Sequence, residues 1–154
     1  MAGLVRHLTD RGLAVGTLKH SSHAHELDKP GKDSHVHRTA GACPAAMVTS
    51  RMAAVYLPAS AQASPENLIK TYYKNTDVVL IEGWISGPYP KIEIWREIVG
   101  RPPLFPELPT VTALVSDDRL EAEHRTMADS RKITLLGLEP VSALADFLLD
   151  LSRV

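Results

Sequence analysis

The chain has 154 residues, 44% of them hydrophobic, with 17 basic and 18 acidic side chains and a net charge of −1. That suits one domain, residues 1–154, with a real core, and leaves no global field to draw nucleic acid or an anionic membrane. The lone Cys43 excludes an intrachain disulfide and a thiolate-rich metal site supplied by one chain, and it is expected as a small buried hydrophobe.

No apolar run approaches 18 residues, and "MAGLVRHLTDRG" lacks the apolar centre of a signal peptide, so the chain is read as soluble and cytoplasmic. Its Leu4, Val5 and Leu8 have helical spacing and Gly12 supplies a stop, which reads as the end of an amphipathic helix. "LAVGTL" is a short strand running into Lys19 and His20. The polar loop "HELDKPGKDSHVHRTAGA" leads into a short helix from Ser34, with Asp33 as its cap and Gly41 just past its end. "AAMVTS" and "MAAVYLP" form a candidate hairpin around Arg51. Ser64 and Pro65 open the next helix as cap and first residue.

In "TDVVLIEGW", four apolar residues from Val78 to Ile81 end in Glu82, the pattern expected of a central parallel strand covered on both faces. "KIEIWRE" alternates like a half-exposed strand, and "GRPPLFPELP" reads as a loop crossing the surface. "TVTALVSDD" and "KITLLG" are two more strands. "EPVSALADFLLDLSRV" is a helix with Val141, Leu144, Ala145, Leu148 and Leu149 on one face. Strands alternating with helices predict an open α/β sheet.

In such a sheet ligands collect beyond the carboxyl ends of the strands. Three predicted strands end there in reactive groups: Lys19-His20, Glu82-Gly83 and Ser116-Asp117-Asp118. The palindrome Asp28-Lys29-Pro30-Gly31-Lys32-Asp33 has turn chemistry. Proline presets the second position and glycine the third, so Lys29 and Lys32 come within about 7 Å of each other. One reading is an exposed turn whose lysines pair with Asp28 and Asp33. The other is a polyanion clamp beside a helix N-terminus. Zinc held by His20, His23, His25 and an acid is a further alternative, whereas His35 and His37 splay apart on a helix.

Together, "RGLAVGTLKHSSH", "DKPGKDSHVHRTAGA", "DVVLIEGW" and the strand ending "VSDD" resemble the MobB family of molybdopterin-guanine dinucleotide biosynthesis. The resemblance implies a three-layer P-loop NTPase-like fold with a mainly parallel sheet, a homodimer, and GTP with Mg²⁺ as ligands. It further implies an adaptor role toward a MobA-type guanylyltransferase that joins GMP to molybdopterin, with at most slow GTP hydrolysis. In that context Lys19, His20, Asp28, Lys29, Gly31, Lys32, Asp33 and Gly83 resemble the surface facing phosphates. Glu82 resembles the catalytic acid that positions Mg²⁺ or its water. Ser116 and Asp117 resemble contacts to the guanine base. The family's opening strand and glycine-rich Gly-Lys-Thr loop have no counterpart in this sequence, so nucleotide binding is expected to be weakened or lost. A histidine-rich metal-delivery protein on the same fold, and a purely structural partner subunit, are the rival expectations.

Overall fold

The computed structural model describes residues 1–60 and 63–151. It divides into two compact units: a sheet unit of Met1–Val15 and Trp84–Val154, and a turn unit of Gly16–Gly83.

In the sheet unit, β5 (Lys91–Ile94), β6 (Val111–Val115) and β7 (Thr134–Leu136) form a three-stranded sheet with β6 in the middle, parallel to both neighbours. The central parallel strand is therefore β6. Four of its five residues are buried, as a strand covered on both faces requires. α4 (Ala122–Ser130) follows it, buries Ala128 and packs Met127 on the core. The apolar pattern did not announce this helix, because its other residues are polar or small.

Phe105, Val111, Leu114, Ala128 and Ile133 form the core cluster. Phe105 comes from the proline-rich segment expected to cross the surface, yet it is fully buried. The reason lies on β5 and after α4. The two carboxylate oxygens of Glu93 accept hydrogen bonds from the Leu104 and Phe105 amides at 2.6 and 2.8 Å. The Arg131 guanidinium donates to the carbonyls of Phe105 and Leu108. With its backbone satisfied, this loop can turn an aromatic ring inward without leaving polar groups unpaired. α1 (Ala2–Asp10) packs on α5 (Val141–Leu151), hiding Leu8 and Ala145 completely, and Arg11 meets Asp146 at 2.6 Å.

In the turn unit, β1 (Val15–Lys19) pairs with β4 (Val78–Glu82) in a two-stranded sheet. The expectation that β4 is central is thus corrected: of its apolar run only Leu80 is buried, and Val78, Val79 and Ile81 are half-buried. An apolar run reports a strand's environment but not how many ladder partners it has. α3 (Pro65–Tyr72) begins as expected, with the Ser64 hydroxyl accepting from the Asn67 amide. Tyr73, just past it, donates to the Thr17 carbonyl at 2.6 Å, and its ring fills the space a side chain at Gly16 would need.

β2 (Ala45–Val48) and β3 (Ala53–Tyr56) form the expected antiparallel hairpin. α2 (Asp33–Thr39) packs on β2. Its cap is Lys32, with no side-chain hydrogen bond, so Asp33 is the first helical residue and not the cap. There its carboxylate still favours the positive end of the helix dipole. Cys43 is exposed, contrary to the expected burial, because it sits in the bend before β2. No described helix is long and apolar enough to cross a membrane.

Candidate phosphate-binding site

The sequence Lys29-Pro30-Gly31-Lys32 makes the turn its chemistry demands. The Lys32 amide donates to the Lys29 carbonyl at 3.2 Å, and Gly31 takes φ +78°, a conformation that would strain a side chain. Both lysines are exposed. Asp28, expected on the phosphate-facing surface, lies beneath the turn at 8% exposure. Its Oδ1 accepts from the Lys29 amide at 2.8 Å and from the Ser34 hydroxyl at 3.1 Å, tying the turn to the first residues of α2.

A second layer supports Asp28. Its amide donates to Glu26 Oε1 at 2.9 Å, and the same oxygen accepts from Arg38 Nη2 at 2.6 Å. Arg38 lies over the Tyr56 ring, 5.9 Å from its centroid, joining α2 to β3. The Arg38 hydrogen bond, and then the Asp28 amide, hold the Glu26 carboxyl below its ordinary 4.5. The Arg38 guanidinium is raised by the same bond. Burial first, and the Asp28 carboxylate second, push the Tyr56 hydroxyl above its ordinary 10.0.

At the ends of β1 and β4, Lys19 Nζ meets Glu82 Oε1 at 3.0 Å, with both side chains half or more exposed. The His20 amide donates to the Glu82 carbonyl at 2.8 Å. Gly83 follows with φ +81°, and a Cβ there would lie 2.4 Å from the His20 carbonyl oxygen, so only glycine lets the two strand ends close. Lys19 and Glu82 thus share one side of the strand pair.

Ser116 and Asp117 belong to the sheet unit. The Ser116 hydroxyl accepts from the Asp118 amide at 3.0 Å, and Asp117 Oδ1 from the Leu138 amide at 2.9 Å. Asp118 Oδ2 accepts from the Glu97 amide at 2.8 Å, at the start of a single 3-10 turn, Glu97–Val99. An open cleft beyond β6 and β7 is lined by Ser116, Asp118, Arg119, Glu121, Arg125 and Gly137. Arg119 and Arg125 had not been singled out from the sequence; lone arginines after a strand carry no spacing signal. Among the described residues no three His, Cys, Asp or Glu side chains converge as metal ligands, and His23 and His25 meet only edge to face.

Charged groups at strand ends of a mixed α/β fold with a parallel sheet define the class of protein, an α/β protein with its polar side chains gathered beyond the strands. The backbone follows a solved MobB from Bacillus subtilis with TM-score 0.68 over 96% of this chain and 85% of that one, at 24% identity. A second solved structure, molybdopterin-guanine biosynthesis protein B, gives 0.66 over 98% and 87%, at 20% identity. The family is set by sequence: the model for molybdopterin guanine dinucleotide synthesis protein B (MobB) matches residues 1–117, and this chain belongs to that family. It is 29% identical over 147 residues to the molybdopterin-guanine dinucleotide biosynthesis adapter protein of Haemophilus influenzae, covering 94% of this chain and 76% of that one. With the protein of the same name from Escherichia coli K12 it shares 27% over 150 residues, covering 96% and 81%.

Proposed function

We propose that this chain is a cytoplasmic adapter in molybdenum cofactor biosynthesis. In this reading it holds a phosphorylated ligand, GTP or molybdopterin, and works with a MobA-type guanylyltransferase, both units serving one functional domain. The observation that carries the reading is the lysine turn: two exposed ammonium groups on a hydrogen-bonded four-residue frame, with the Asp28 carboxylate buried beneath it and already hydrogen-bonded, while Asp33 on the other flank is exposed. That leaves Lys29, Lys32 and the Gly31 backbone to meet phosphate oxygens. α2, at seven residues, contributes too little dipole to carry the site alone.

Glu82 suits Mg²⁺ only through water. Its Oε1 is held by Lys19, and among the described residues no group of three ligating side chains surrounds it. The ion would supply charge neutralisation to the phosphates; the chain's own residues orient them. Pairing of two copies is supported by the hairpin. Ala46 and Val48 on β2 lie beside Val55 and Ala53 on β3, and all four are exposed, giving an apolar face that a two-stranded ribbon cannot cover by itself.

The test is calorimetry of GTP-Mg²⁺ and molybdopterin binding to the native chain and to Lys29→Ala with Lys32→Ala at low salt. Each charge-assisted contact is worth about 1.5–3 kcal/mol when a ligand buries it, so affinity should fall at least tenfold with the fold unchanged. Equal affinities would reduce the turn to a structural one.

A further inference from the structure

His35 is the third residue of α2, and the cap of that helix is Lys32, the last residue of the lysine turn. Three residues of helix rise about 4.5 Å, so His35 stands within one helical turn of Lys32. It is half-buried, whereas His37 is exposed. Its Nε2 lies 3.7 Å from Glu26 Oε2. That is too long for a hydrogen bond between neutral groups but within reach of an ion pair once the ring is charged. The other Glu26 oxygen holds Arg38 Nη2 and the Asp28 amide, and Asp28 in turn holds the Lys29 amide. His35 therefore borders the frame on which the two lysines stand.

The charges on the elements around it are mixed. On α2 and its cap, Lys32 and Arg38 oppose a proton on the ring and Asp33 favours one, with His37 a second imidazole on the same helix. On the preceding loop Glu26 and Asp28 favour the proton, and Lys29 opposes it. β2, packed on α2, has no titratable side chain, and Tyr56 of β3 lies under Arg38 with its hydroxyl proton retained.

We infer that a phosphate-rich anion on the lysine turn draws a proton onto His35, so that the site binds its ligand more tightly as pH falls through the histidine range. The inference rests on the phosphate reading above and adds its regulation. An anion neutralises Lys29 and Lys32, two of the three cations that oppose the imidazolium. It also brings negative charge to Lys32, a spacing inside the Debye length of about 8 Å at physiological salt. The charged ring then pairs with Glu26 Oε2. By linkage, a proton on His35 must raise anion affinity by the same factor. The gain is complete below the midpoint of the unliganded histidine and is lost as pH rises through the higher midpoint of the bound form.

Inorganic tripolyphosphate is the probe. Calorimetry between about pH 5.5 and 8, in two buffers of different ionisation heat, reads both its affinity and the protons taken up. The native chain is compared with His35→Gln, which keeps a polar side chain beside Glu26 but cannot charge. The probe's own protonation is common to both. Affinity of the native chain relative to the variant should rise by about fivefold from the alkaline to the acid end, with the extra proton uptake confined to the native chain. In the native chain alone, the His35 imidazole resonance should titrate about 0.7 pH unit higher with tripolyphosphate bound, a readout that needs no variant to fold. If tripolyphosphate binds and the two chains share one pH dependence, or if the His35 resonance does not move, the proton link is overturned while the phosphate reading stands. If tripolyphosphate binds at no pH, the phosphate reading falls and takes the link with it.

Discussion

In the sheet unit the buried side chains are apolar: Leu4, Leu8, Phe105, Val111, Ala113, Leu114, Val115, Ala128, Ile133 and Ala145. Among the described residues of the turn unit only Leu18, Ala45 and Leu80 are apolar and buried to that degree, and the polar Asp28 and Ser34 are buried with them. The first unit is held by area removed from water, which depends weakly on pH and salt. The second is held by charge-assisted hydrogen bonds among Glu26, Asp28, Ser34 and Arg38, which depend on both. The candidate ligand site lies on the second. Loops that must admit a ligand belong at the low-stability end of a structure, and a polar scaffold can hold a lysine pair in shape without a large apolar core.

The contrast breaks most visibly at Phe105. Phe105→Ala should cost about 3–5 kcal/mol, read by chemical denaturation, with amide protection lost throughout the sheet unit. A loss below 1 kcal/mol would mean that the loop, and not the ring, holds that core. Asp28→Ala should cost about 1–3 kcal/mol, because the Lys29 amide and Ser34 hydroxyl lose their acceptor. Hydrogen exchange should speed up around residues 26–40 and leave β6 unchanged. If β6 responds equally, the two units do not differ as described.

Gly83→Ala should also cost about 1–3 kcal/mol, since its positive φ and the nearby His20 carbonyl leave no room for a methyl group. Melting curves would check it, and a neutral result would show that the β1–β4 junction is free to open.

Acid sharpens the comparison further. Glu26 binds its proton less readily in the folded state than its ordinary 4.5 implies, so the stability it contributes is present above that pH and drains away as pH falls through the lowered value. Exchange protection around α2 should therefore fall in that window while the sheet unit keeps its own. Arg38→Gln should shrink the difference to the part that the Asp28 amide supplies. At the small end, Lys19→Ala should shift stability by less than about 1 kcal/mol, since the Lys19–Glu82 pair is exposed. A larger loss would make that pair part of the turn unit's scaffold.

Local chemistry made much of this protein legible in its sequence. The cap and proline of α3, the hairpin, the spacing of α5 and the lysine turn each depend on a few adjacent residues, whose sterics and periodicity act before any tertiary contact forms. The MobB blocks named the family because they preserve such local patterns in order. What the sequence could not reveal is who meets whom. Phe105 is buried because Glu93 and Arg131, 12 and 26 residues away, satisfy its backbone. Asp28 is a scaffold under the turn because Ser34 and the Arg38–Glu26 pair close over it, although its composition made it look like surface. β6, not β4, became the central strand of the parallel sheet, because ladder partners are chosen by packing between distant segments, and an apolar run carries no record of which neighbour it will find.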